Sequence, residues 1–199
     1  AGPTADLHLG ADAIEIDEAG SRVRLAEGVG FDPGGIGKGL AADLVAEQVS
    51  DAGAAGVLVN LGGDLRAIGF GPDGDDWRID IDPAATGHPV ARVVMHEGAL
   101  ATSTTLRRRW ALDGVDRHHL IDPASGTPTH GPVAATVLAA RGWQAEILAK
   151  AILVGGTDEG LALVGAVGAD ALVVDADGRR HTTPGFARFE APLTEGIAS

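Results

Sequence analysis

The sequence predicts an α+β fold, from three observations. Apolar residues recur in two rhythms: short runs of strand length and longer runs at helical spacing. The short runs cluster between the helical ones without a strict strand–helix–strand beat, so a doubly wound parallel sheet is not expected. Thirty glycines and ten prolines divide the chain into many short segments joined by turns. At 199 residues the chain can bury one sizeable core or two closely joined lobes.

Ala13 to Ile16 and Arg22 to Leu25 read as two short strands around a turn at Glu18-Ala19-Gly20. Gly37 to Ala52 reads as a helix with Leu40, Leu44, Val45 and Val49 on its apolar face, its end bracketed by Gly53 and Gly56. Gly56 to Asn60 is expected as a buried strand that continues past Gly62-Gly63 into Leu65 to Phe70. Trp77 to Ile81 alternates, with Trp77, Ile79 and Ile81 on one face and Arg78, Asp80 and Asp82 on the other. Val90 to His96 and Val133 to Ala139 are further strands. Gln144 to Val154 is a helix ended by Gly155-Gly156, and Asp158 to Gly165 is a second one close behind it. Ala171 to Val174 is a strand before the turn Asp175-Ala176-Asp177-Gly178. No repeat, long linker or low-complexity block interrupts the chain, so residues 1–199 are expected to form one domain.

Bulk chemistry excludes several functions. The formal charge of −13 argues against nucleic-acid binding, which needs a basic surface. With no cysteine there is no disulfide framework, thiolate metal site or thiol nucleophile. No apolar run approaches the roughly 18 residues of a transmembrane helix, and no signal peptide is visible. The chain opens on Ala1, which leads to the expectation that a leader or an N-terminal segment has been removed.

Four segments place polar groups where they can do chemistry. The first runs from Asp32 through Gly34-Gly35 to Lys38-Gly39 and sets glycines and a lysine against a helix start, where backbone N–H groups can meet an anion. It is not a Walker loop, because Asp32 stands where that loop's first glycine belongs and Gly39 replaces its Ser or Thr. A dinucleotide fingerprint over Gly37, Gly39 and Ala42 falls on helix rather than turn. The second segment is Asn60-Leu61-Gly62-Gly63-Asp64, at a strand end where two glycines permit close approach. The third is Ala101 to Arg109, four hydroxyls running into three arginines that suit bidentate phosphate contacts. The fourth is His118 to Pro128; if it is extended, His119 and Ile121 share a face, and a histidine near an aspartate can act as a general base. Each segment also has a structural reading: a tight turn, a β-bulge, a hydroxyl-capped helix start and a structural histidine.

In this order the segments resemble the FAD:protein FMN transferase family, the ApbE type. The resemblance rests on Asp32 to Gly39, Val59 to Asp64, Ala101 to Arg107, His119 to Pro128, Thr136-Val137 and Ala145 to Lys150. It implies a T-fold-like arrangement of mixed β-sheets packed with helices. It implies an enzyme that binds FAD, cleaves the pyrophosphate with Mg²⁺, releases AMP and attaches FMN to a Thr or Ser hydroxyl. The acceptor would be a flavin-carrying protein of an electron-transfer system. By the same resemblance His119 is the base, with Asp122 in the catalytic pair. Asp32, Lys38 and Ile121 would contact the flavin nucleotide. Gly34, Gly35 and Arg107 would hold the pyrophosphate, Thr102 and Ser103 its phosphate end, with Gly62, Gly63 and Asp64 completing the FAD site. The metal ligands would be the Glu146 carboxylate and the Gly35 carbonyl.

The sequence departs from the family pattern in two places. Ala149 offers no ligand, and Lys150 stands where the family has a threonine. A charged lysine only donates and cannot ligate Mg²⁺. Glu146 and Lys150 could be an ordinary surface pair of about 0.3–0.5 kcal/mol. The surrounding Ile147, Leu148, Ile152, Leu153 and Val154 instead predict a buried helix with one polar stripe facing a cleft. Lys150 is then expected to replace part of the metal's charge, with weak metal affinity and slow turnover. The second departure is the short segment before Asp32, which lacks the family's Met-Gly-Thr start. Two other outcomes stay open: a non-catalytic FAD-binding scaffold, and an FAD pyrophosphatase releasing FMN and AMP. The resemblance leaves the location open: relatives of this kind are often exported or membrane-anchored, and the absence of a visible signal peptide adds a cytoplasmic or a processed protein as expectations.

Overall fold

The computed structural model describes residues 13–112 and 114–193. In chain order the strands are β1 (Ile14–Asp17), β2 (Arg22–Leu25), β3 (Gly56–Leu61), β4 (Asp64–Gly69), β5 (Trp77–Ile81), β6 (Ala91–Met95), β7 (Gly98–Thr104), β8 (Arg109–Leu112), β9 (Val115–His118), β10 (Ala134–Ala139), β11 (Asp170–Val174), β12 (Arg180–Thr182) and β13 (Glu190–Ala191). The helices are α1 (Gly37–Asp51), α2 (Gly142–Gly155) and α3 (Thr157–Ala166). The fold is α+β, as the sequence predicts.

A six-stranded antiparallel sheet in the order β12-β11-β10-β7-β4-β3 forms the middle layer. Its central strands are buried on both faces, and side chains alternate between two cores. Ala99 and Ala101 of β7, Ala135 and Val137 of β10, and Ala171 and Val173 of β11 pack under Ala145, Ala149, Ile152 and Leu153 of α2 and Val164 of α3. Their neighbours Leu100, Leu138 and Leu172 point the other way, against Ile79, Ile81, Val93 and Met95 of the three-stranded sheet β13-β6-β5. Phe186 is fully buried in this second core and anchors the 3-10 turn Pro184–Arg188. Small alanines on both sides of the first core let α2 lie close on the sheet.

The structure corrects the sequence reading of α1. The residues it buries are Gly39, Ala42, Asp43 and Ala46, while Leu40, Leu44, Val45 and Val49 are exposed. The cause is a close crossing with α2. A Cβ on Gly39 would lie 2.3 Å from the Gly142 carbonyl oxygen, and one on Gly142 would lie 2.5 Å from that of Gly39. Only a face of small residues can approach so closely. Asp43 fixes the crossing: its carboxylate accepts the N–H groups of Gly142 (2.8 Å) and Trp143 (3.2 Å) and pairs with buried Arg66 (3.4 Å). This carboxylate, supplied by another helix, caps α2 and starts it at Gly142 rather than Gln144.

Three further corrections concern strands. β3 does not run on through the glycines. It turns back in a two-residue hairpin, with Leu61 paired to Asp64 and Gly62 and Gly63 at φ 68° and 100°. Nor is it a buried strand, since it lies at the sheet edge with Leu58 and Asn60 exposed. Ala101 to Thr104 is strand rather than helix start, and it is followed by the hairpin β8-β9. Among the described residues no helix is long and apolar enough to cross a membrane.

Candidate active site

The α1–α2 crossing decides what the first turn of α1 meets. Because Gly39 and Gly142 bring the backbones together, the N–H of Gly39 reaches Oε2 of Glu146 at 2.8 Å. Glu146 is fully buried on α2, so the positive end of α1 finds its anion in a side chain more than one hundred residues away in sequence. Its other oxygen, Oε1, accepts from Lys150 Nζ at 3.0 Å and lies 3.5 Å from Lys38 Nζ. Lys38 also donates to Asp64 Oδ2, delivered by the β3-β4 turn. Two lysines and two carboxylates thus form one chain of charges: Asp64, Lys38, Glu146, Lys150.

The pair of acids titrate in opposite directions. Burial raises Asp64 above the ordinary carboxylate value, and the hydrogen bond and charge of Lys38 only partly offset it. Burial also works to raise Glu146, but the Gly39 N–H and the two ammoniums outweigh it and hold the carboxyl below its usual value.

Beside this chain of charges lies a cavity of about 520 Å³. The structure brings Gly34, Lys38, Gly62, Thr102, Ser103, Arg107, His119 and Lys150 together around it. Thr104 and Arg108 also line it; the sequence reading placed both in the hydroxyl–arginine segment without giving either a specific role. Arg108 was one of three adjacent arginines, and its selection depends on a turn that holds it at φ 52°, a left-handed conformation costing about 1–2 kcal/mol. Arg107 and Arg108 make no ion pair with a described residue. No carboxylate lines the cavity among the described residues. An acidic molecule therefore concentrates cations at one concave place, the arrangement an oligoanionic ligand requires. A second cavity of about 350 Å³ shares Gly62, Thr102, Thr104 and Arg107 and adds the apolar walls Leu65, Ile79, Ile81 and Leu100.

The two adjacent histidines have different tasks. The Nε2–H of His118 donates to the Thr129 carbonyl (3.0 Å) and its Nδ1 accepts the Leu120 N–H (3.3 Å), so His118 braces the turn. His119 makes no hydrogen bond to a described residue and faces the 520 Å³ cavity. Burial lowers its pKa below the ordinary 6.5, and the charges of Arg108, His118 and Lys150 lower it further. An unbonded, neutral imidazole beside hydroxyls and cations is equipped to take a proton.

The remaining expected site residues are placed differently. Asp32 Oδ1 accepts the Gly34 N–H at 2.8 Å and so shapes the loop. Gly35 lies against Lys150, whose Cδ would be 3.7 Å from a Cβ built there. Gly63 donates its N–H to Asn60 Oδ1 (2.9 Å) and lines the smaller cavity. Ile121 is exposed and bridges Pro128. The Asp122 carboxylate accepts from Ser125 Oγ (2.7 Å) and the Ala124 N–H (2.9 Å), which hold it below its ordinary pKa; it is engaged in its own turn and not on His119. Thr102 Oγ1 shares a 2.8 Å hydrogen bond with Thr136 Oγ1 on the neighbouring strand.

Comparison with known proteins gives consistent results. Residues 4–173 match the model of the ApbE family. An FAD:protein FMN transferase of Treponema pallidum is 34% identical over 178 residues, which span 82% of this chain and 49% of that protein. One from Rhodobacter capsulatus is 32% identical over 94% of this chain and 36% of its own length. The crystal structure of the ApbE protein of Thermotoga maritima superimposes with a TM-score of 0.84 at 30% identity, covering 94% of this chain and 62% of that one. The flavinyl transferase ApbE of Pseudomonas stutzeri gives 0.75 at 32% identity, over 92% and 58%. The chain spans about half the length, or less, of these curated relatives.

Proposed function

The chain belongs to the ApbE family, and from that premise we propose that it takes part in transferring FMN from FAD to a Thr or Ser hydroxyl of a flavin-accepting protein, with release of AMP. One observation carries this reading: an unbonded His119 faces the same cavity as Arg107, Arg108 and Lys150. The arginines and lysine hold the pyrophosphate and stabilise charge that develops on its oxygens. The acceptor hydroxyl oxygen attacks the FMN-side phosphorus. The bond from that phosphorus to the bridging oxygen breaks, and AMP leaves with the bridging oxygen and its electron pair. The hydroxyl proton passes to His119 and then to solvent. Thr102 and Ser103 line the phosphate end, and the adjoining cavity gives an apolar wall to a ring system of FAD.

The family chemistry calls for Mg²⁺, and the residues present do not fit it. No group of three or more described His, Asp or Glu residues is placed to hold a metal ion. The expected carboxylate, Glu146, has both oxygens engaged by an N–H and an ammonium.

The reading is tested by FAD fluorescence quenching and by AMP release in the presence of a Thr-bearing acceptor peptide. FAD should bind, and AMP release should accompany covalent flavin on the peptide. AMP with free FMN identifies a pyrophosphatase. Absence of FAD binding refutes the proposal.

A further inference from the structure

Lys150 joins the two groups from which a metal would have been held. Its Nζ lies 3.0 Å from Glu146 Oε1, and its stem runs alongside Gly35, the expected carbonyl donor. Mg²⁺ demands near-octahedral oxygen coordination at about 2.0–2.1 Å and surrenders its waters reluctantly. A cation on Glu146 Oε1 would here meet an ammonium already on that oxygen. Glu146 cannot readily turn away, because Oε2 holds the Gly39 N–H inside a crossing too tight for a Cβ. The Asp64 carboxylate, which also faces Lys38, is bound by it. About one turn after Glu146 on α2 stands Ala149, fully buried and with no side-chain ligand atom.

The charges balance without a metal. Lys38 answers Asp64 and Lys150 answers Glu146, while Arg107 and Arg108 are left for the phosphates. Lys150 keeps donor capacity beyond its one bond to Glu146, since an ammonium has three protons. Both lysines line the cavity itself.

Resting on the reading above, we propose that this site binds and cleaves the FAD pyrophosphate without a resident divalent cation, the Lys150 ammonium standing in the metal's place. Atoms and electrons balance as in the transfer already described: the phosphorus–bridging oxygen bond breaks, the new phosphorus–hydroxyl oxygen bond forms, and AMP carries away the electron pair. Lys150 donates a hydrogen bond to a pyrophosphate oxygen throughout and is not consumed.

The experiment measures FAD affinity of the wild-type protein in EDTA and in excess MgCl₂, with Mn²⁺ binding to the protein followed by electron paramagnetic resonance. The expected result is unchanged FAD affinity and no stoichiometric Mn²⁺ site. Lys150→Gln should weaken FAD binding roughly ten- to a hundredfold, the loss of one charge-assisted hydrogen bond, and Lys150→Arg should restore much of it. Lys150→Thr should make binding respond to Mg²⁺. A tenfold or greater dependence of wild-type FAD binding on Mg²⁺, or a stoichiometric Mn²⁺ site, overturns the proposal. If FAD binds in neither buffer, the transferase reading fails. Inorganic pyrophosphate then decides the present inference by calorimetry: binding in EDTA sustains it, and binding that needs Mg²⁺ overturns it.

Discussion

His119 and Lys150 are linked through charge, and the link has a measurable sign. A lowered histidine pKa keeps the imidazole neutral to more acid pH than the ordinary 6.5. The acid limb of AMP release should therefore fall below 6.5. Lys150→Gln removes one of the charges that disfavour imidazolium, so the limb should move up toward 6.5 in a pH–rate profile. The shift should be small, because burial is the larger cause. His119→Ala should lower AMP release by about 10²–10⁴-fold, the worth of a positioned general base, while leaving FAD affinity nearly unchanged. At this scale the sequence was a partial guide. Glu146 and Lys150 were readable as a pair because they sit one helical turn apart. The bonds from Lys38 to Asp64 and from Gly39 to Glu146 close loops of very different length, and no local spacing encodes them. Asp122 is the converse case: it is near His119 in sequence, yet its carboxylate is bonded within the Ala124–Ser125 turn.

The helix crossing is where element and site depend on each other. Gly39→Ala sets a methyl 2.3 Å from a backbone oxygen that cannot rotate away. It should destabilise the fold by about 1–3 kcal/mol, as overpacking does, and weaken FAD binding by displacing Glu146. Gly35→Ala, with ordinary contacts at its Cβ position, is the matched control; urea unfolding compares the two. Asp43→Ala leaves Arg66 buried without this partner and uncaps α2, so a loss of about 3 kcal/mol or more is expected. Thermal unfolding checks it. Alternation made Trp77 to Ile81 legible, whereas the central strand β7 was not read as one. The orientation of α1 was not, because its apolar residues formed a convincing stripe while the tight crossing selected Gly39, Ala42, Asp43 and Ala46 instead. Hydrophobic pattern reports what a helix would bury if nothing limited the distance of approach.

Across the whole molecule, the net charge conceals a local reversal of sign. The sequence carries −13 in total, yet Lys38, Arg107, Arg108 and Lys150 converge on one cavity. The four cations come from the first turn of α1, the β7–β8 turn and α2, so only the folded chain assembles them. An anionic nucleotide approaching from afar meets net repulsion, and it feels attraction only within roughly one Debye length, about 10 Å at 0.1 M salt. Salt should consequently act on arrival in a different sense from a steered encounter, and on departure in the usual one. The dissociation rate should rise as the contacts in the cavity are screened. The association rate should hold steady or rise, because the repulsive outer field is screened first. Stopped-flow FAD quenching between about 10 and 200 mM salt separates the two, and an association rate that falls with salt would mean that the cavity's field reaches beyond the acidic surface around it. On the transferase reading the same two-zone field would govern an acceptor protein: its hydroxyl would have to be presented on a segment that tolerates an acidic approach before it reaches a basic floor.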